Sequence, residues 1–120
     1  MVDTLKYREW FEIAKKDLNG ADYGIVLFHL QQSVEKYFKG YLIYKTGMLQ
    51  GGHSLIKLCK KASEFDSEFR SYIKDCAFLN GYYIETRYPA EDPLIAEKDD
   101  VEEGMQITIN ILNSINKKIS

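Results

Sequence analysis

From Ile25 to Thr46 the apolar and polar residues recur with the period of an α-helix, and this run limits the folds open to the rest of the chain. At 3.6 residues per turn, Leu27, Leu30, Val34, Tyr37, Phe38 and Tyr41 fall within an arc of roughly 100 to 120°. A second arc, roughly 80° wide, carries His29, Gln32, Lys36 and Lys39. A helix this long with one apolar face needs other amphipathic helices to cover it, so it becomes the spine of a bundle.

The flanking segments supply those helices. Thr4 is placed to cap a helix from about Leu5 to Ala21, with Leu5, Trp10, Ile13, Ala14 and Leu18 at helical spacing. Asp22-Tyr23-Gly24 is expected to break the chain there, leaving this helix and the spine as an antiparallel hairpin. Gly47 suits a left-handed helix end, and Gln50-Gly51-Gly52-His53 reads as a flexible joint. Ser54 or His53 then caps a short helix ending near Glu64, with Leu55, Leu58, Cys59 and Ala62 on one side and Lys57, Lys60 and Lys61 on the other. Asp66 or Ser67 opens the next helix, expected to run to about Thr86 through Phe69, Tyr72, Ile73, Cys76, Leu79, Tyr83 and Ile84. Pro89 and Pro93 make the segment from Tyr88 to Lys98 a surface loop. The last helix begins at Asp99 or Asp100, with acids in its first turn and Lys117 and Lys118 in its last, as the helix dipole favours. Its apolar positions are Val101, Met105, Thr108, Leu112, Ile115 and Ile119, widened by Ile107 and Ile111. No segment alternates with period two for long enough to make a strand. The expected architecture is all-α, an up-and-down four-helix bundle with one additional short helix, forming a single domain over residues 1–120.

Charge and composition narrow the function. A net charge of -2 gives no global positive field, so nonspecific nucleic-acid binding is disfavoured and any anion site must be local. Cys59 and Cys76 have no His or Cys neighbours at metal-ligand spacing and are expected to be buried, reduced thiols. The start, Met1-Val2-Asp3-Thr4, lacks the basic opening and apolar run of a signal peptide, and no apolar stretch approaches the ~20 residues of a membrane span. The expectation is a cytoplasmic protein without a membrane association. Neither His29 nor His53 has an acid three or four positions before it, so the bundle type of metal site is not expected, and phosphate-loop, dinucleotide and nucleophile-elbow motifs are absent.

Three places remain for chemistry. The stripe of His29, Gln32, Lys36 and Lys39 reads either as a solvated helix face or as a basic groove for an anion. His53, after two glycines and ahead of a helix, reads either as a turn residue or as an imidazole brought to a phosphate beside the helix N–H groups. Arg87 and Tyr88, just before Pro89, place a guanidinium and a phenol at a helix end, where the charge also complements the dipole.

Trp10 with Ala14 and Asp17-Leu18, Gln31-Gln32-x-x-Glu35-Lys36-x-x-Lys39-x-x-Leu42, Gly52-His53-Ser54-Leu55 with Leu58, and Thr86-Arg87-Tyr88-Pro89 together resemble the HEPN domain family. The likeness spans about Leu5 to Pro89, and the last helix matches in position more than in letters. The ordered set is fairly specific, whereas Glu-Lys-x-x-Lys alone is common in helices. The resemblance implies a small helical bundle that forms a homodimer, often encoded beside a minimal nucleotidyltransferase as a toxin and antitoxin pair. Ribonuclease members carry an Arg followed four to six residues later by His at the dimer cleft. Here Arg8, Arg70 and Arg87 have no histidine at that spacing, and none follows His53. Without that proton carrier, the expected function is binding of a nucleotide or other phosphate-bearing ligand without cleavage, alongside a nucleotidyltransferase partner. Lys36 and Lys39 would neutralise phosphate and Gln32 would orient a base or sugar, with His53 and the Arg87 fork completing the site and Tyr83 or Tyr88 lining it. No cofactor or metal is expected, and RNA is a less favoured ligand. One alternative is a toxin-type ribonuclease with an altered site built on His53 or His29. Another is a purely interactional partner subunit, suggested by nine tyrosines in a chain that is 13% aromatic.

Overall fold

The computed structural model describes residues 20–83 and 96–119. Its spine, α1, runs Gly20–Thr46 and passes without a break through Asp22-Tyr23-Gly24, where an interruption was expected. A lone interior glycine costs a helix about 1 kcal/mol. Burial of Val26, Leu27 and Leu30, with Tyr23 packed against them, outweighs that cost. Of the helix expected over 5–21, all but the last two residues lie outside the described residues, as does the hairpin it was to form.

Gly47 ends α1 with φ 72°, its N–H donating to the Ile43 carbonyl at 2.7 Å. Gly52 is the second left-handed residue, φ 82°, and turns the chain into α2, Leu55–Ser63. Ser54 is the cap, its Oγ accepting the Lys57 N–H at 3.2 Å. The single helix expected from Asp66 to Thr86 is instead a 3-10 helix, Ser67–Tyr72, followed by α3, Ile73–Asn80. Asp66 caps the 3-10 segment by accepting the Glu68 N–H at 3.0 Å. Its tighter winding coincides with complete burial of Phe69, which lies edge-on to Phe38 at 5.7 Å and to Tyr41 at 5.0 Å. The Phe69 carbonyl also accepts the Cys59 thiol at 3.1 Å. At the end of α3, the Asn80 side chain accepts the Leu55 N–H at 2.9 Å and Gly81 follows, so Tyr82 and Tyr83 are buried beyond the helix rather than on it.

The last helix, α4, runs Lys98–Ile119 and pairs with α1 more extensively than any other two described elements do. Val101, Ile107, Thr108, Ile111, Leu112 and Ile115 are buried as their spacing predicts, and Met105 and Ile119 pack partly against the same core. Gly104 lets the two helices close: a Cβ there would stand 2.6 Å from Leu27 Cδ2. Cys59 and Cys76 are free and fully buried. Their mutual hydrogen bond, and then burial, push the Cys76 thiol above its ordinary pKa. The described residues are helical throughout their regular structure, with no strand and no helix long and apolar enough to cross a membrane.

Candidate functional site

The long apolar line of α1 is interrupted by two polar residues. Gln31 follows Leu27 by one turn and Glu35 follows Gln31 by another, and both are buried, Glu35 being only 5% exposed. A buried carboxylate persists only where donors satisfy it. Glu35 Oε2 accepts from Lys39 Nζ at 3.1 Å, one turn further along the same helix. The other partner comes from the joint between α1 and α2: His53 Nδ1 lies 3.2 Å from Glu35 Oε1 and 3.1 Å from Oε2. An ionised carboxylate only accepts, so Nδ1 carries the proton and Nε2 is left to bind elsewhere.

Gln31 reinforces the same junction. Its Nε2 donates to the His53 carbonyl at 3.4 Å and to Glu35 Oε1 at 3.5 Å, while its Oε1 accepts from Gln32 Nε2 at 2.7 Å. The His53 ring stacks on Tyr83, with centroids 4.9 Å apart and planes 19° from parallel. Phe28 packs against Tyr83 at 6.2 Å and edge-on to His29 at 5.3 Å. The Glu35 carboxylate and the Tyr83 ring thus hold the imidazole while Gln31 holds its backbone, although the His53 side chain is half exposed.

Beside His53 opens a cavity of about 320 Å³, walled by the Gly51-Gly52 joint, Ser54 and two lysines one helical turn apart, Lys57 and Lys61. Neither lysine pairs with a carboxylate among the described residues. Lys57 stands in the first turn of α2, which contains no acid, so its charge adds to the positive end of the helix dipole. The arrangement is a cationic mouth beside an oriented imidazole, suited to an anion of phosphate size.

Of the residues predicted from sequence, His53, Tyr83, Lys39 and Gln32 converge on this junction. Lys39 does so with its charge already opposed by Glu35, and Gln32 through Gln31. Lys36 is exposed and makes no hydrogen bond or ion pair with the cluster among the described residues. Arg87 and Tyr88 lie outside the described residues. Sequence reasoning missed Gln31 and Glu35 as site residues, and read Lys57 and Lys61 only as the outer face of a helix. The legible signal for the first pair was polar letters placed where the Leu27 line continues into the core. For the second it was a pair of lysines, four apart, directly after Gly-Gly-His-Ser.

Among the described residues no group of three or more His, Cys, Asp and Glu side chains is placed to hold a metal ion. Compared with known proteins, the chain matches the family model described as HEPN domain over residues 7–118. No curated protein and no solved structure matches it.

Proposed function

The chain belongs to the HEPN domain family, and from that premise we propose that it is a dimeric module that binds a nucleotide or other phosphate-bearing ligand without cleaving it. The observation that supports this reading best is that Lys57 and Lys61, beside His53 at a single cavity, have no acidic partner among the described residues. An anion seated there relieves the repulsion between Lys57 and the positive end of α2, and it meets donors from two lysines and His53 Nε2 when that ring is protonated. Tyr83 backs the imidazole, and Arg87 and Tyr88, four and five residues further along the chain, would extend the site toward a base or a second phosphate. Lys36, exposed on α1, is kept as a further source of positive charge, whereas Lys39 contributes less because Glu35 offsets it. RNA cleavage is disfavoured, since no arginine is followed by histidine at the spacing used by ribonuclease members. The proposed partner is a nucleotidyltransferase of a toxin and antitoxin pair. Its contact is supported by Tyr44, Met48 and Leu49 at the end of α1, which are 58, 66 and 75% exposed.

Thermal unfolding with and without millimolar nucleotides tests the binding reading. A ligand at ~100 times its dissociation constant stabilises the fold by ~2.7 kcal/mol. The expected result is a raised midpoint in wild type that is lost in Lys57→Ala/Lys61→Ala and reduced in Lys36→Ala. No shift with any nucleotide, or a shift indifferent to the double substitution, would remove the proposal.

A further inference from the structure

His53 stands between a buried carboxylate and an open cavity, and its two ring nitrogens are placed differently. Nδ1 is engaged by Glu35, and no hydrogen bond among the described residues engages Nε2. With Nδ1 turned to the carboxylate and one ring face laid on Tyr83, the exposed half of the side chain includes the edge that carries Nε2. A neutral imidazole protonated on Nδ1 carries its free lone pair on Nε2. Lys39 already opposes the Glu35 charge at 3.1 Å, so that carboxylate is balanced without a charged imidazole. Fastening the joint uses the His53 carbonyl and Nδ1, held by Gln31 and Glu35. It leaves Nε2, and the two lysines that line the same cavity, without a structural task.

A nitrogen lone pair beside two ammonium groups suits attack on phosphorus, because the lysines offset the negative phosphoryl oxygens that otherwise repel a nucleophile. We propose that His53 Nε2 accepts a phosphoryl group from a small acyl phosphate, with Lys57 and Lys61 holding the phosphoryl oxygens; this rests on the phosphate-binding reading of those two lysines. Nε2 gives its electron pair to phosphorus and a P–N bond forms. The bond from phosphorus to the acyl oxygen breaks, and a carboxylate leaves with that electron pair. The Nδ1 proton stays in place, so the ring becomes an imidazolium bearing a phosphoryl dianion, and Glu35, 3.1 Å from Nδ1, opposes the new positive charge. No proton has to move. The leaving carboxylate is a weak base that needs no acid, which fits a cavity lined by glycines and lysines and by no carboxyl group among the described residues. At about 320 Å³ the cavity is near the lower end for small-molecule sites, the scale of a short acyl phosphate.

Incubation of the full chain with acetyl phosphate, read by intact mass and by phosphorus and imidazole-nitrogen NMR, tests the proposal. A single phosphoryl group is expected on Nε2 of His53, stable in alkali and lost in acid as a phosphoramidate is. Its rate of attachment should fall about tenfold or more in Lys57→Ala/Lys61→Ala. It should fall about tenfold in Glu35→Gln, whose imidazole should show both tautomers before any reagent is added. The wild-type spectrum locates the phosphorus whether or not a His53→Ala control folds. A chain that gains no phosphoryl group, or carries it on Nδ1, on His29 or on a lysine, overturns the proposal. So does labelling as fast as wild type in the double lysine variant or in Glu35→Gln. Thermal unfolding with inorganic phosphate separates this proposal from the binding reading. A midpoint rise lost in the lysine variant, without phosphorylation, overturns the nucleophile and leaves the phosphate seat standing, whereas neither rise nor labelling removes both.

Discussion

Glu35 is a charge that α1 holds in its interior because Lys39, His53 and Gln31 all donate to it. Replacing it by Ala leaves those donors without their acceptor, and Glu35→Ala is expected to lower stability by about 1–3 kcal/mol in urea unfolding. Glu35→Gln, which keeps the volume and one acceptor, should lose less; equal stability in wild type and Glu35→Ala would show that the junction fastens nothing. Lys118 is the other residue whose bonds predict a measurement. Its bonds to Asp66 and Glu68 raise its own pKa, and the bond to Asp66 holds that carboxyl below its ordinary value. A depressed acid stabilises the fold above its unfolded value of about 3.9 and ceases to do so as pH falls through the folded value. A raised lysine stabilises it below about 10.4 and ceases to do so as pH rises through its folded value. The stability difference between wild type and Lys118→Met should therefore be largest from about pH 5 to pH 9 and shrink on acidification below about pH 4. A difference that stays constant through the acid range would dissociate Asp66 from the effect.

Between elements, the closest approach is at Gly104, where α4 meets Leu27 of α1. Alanine there gains about 1 kcal/mol of helix propensity but drives a methyl group into a fully buried side chain, and overpacking of this kind costs about 1–3 kcal/mol. Gly104→Ala is expected to be destabilising by about 1 kcal/mol in denaturant unfolding, and a gain in stability would mean that Leu27 has room to turn. The letters of α4 were sufficient to find it, because its apolar spacing, acidic first turn and basic last turn all agree. Local rules failed at Gly24, where burial of Val26, Leu27 and Leu30 just beyond it overrode a breaker, and at Phe69, whose place between Phe38 and Tyr41 accompanies a 3-10 winding that spacing alone does not announce. Both failures concern contacts between residues far apart in the chain.

For the molecule as a whole, the candidate site divides along the same line. His53 was legible because Gly-Gly-His-Ser announces a turn into a capped helix, a pattern contained in four letters. The role of Glu35 was not, since it depends on where the chain returns after Gly47 and Gly52 have reversed it, and no periodicity encodes that return. The nucleotide-induced rise in unfolding midpoint belongs at this scale too, because a ligand that binds only the folded chain acts on the complete folding equilibrium. The two cysteines give that equilibrium a separate readout. Cys59 and Cys76 have no exposed surface, so a thiol-modifying reagent reaches them only when the packing of α2 against α3 opens. Their rate of modification therefore serves as a clock for that opening, already written into the chain and needing no engineered label.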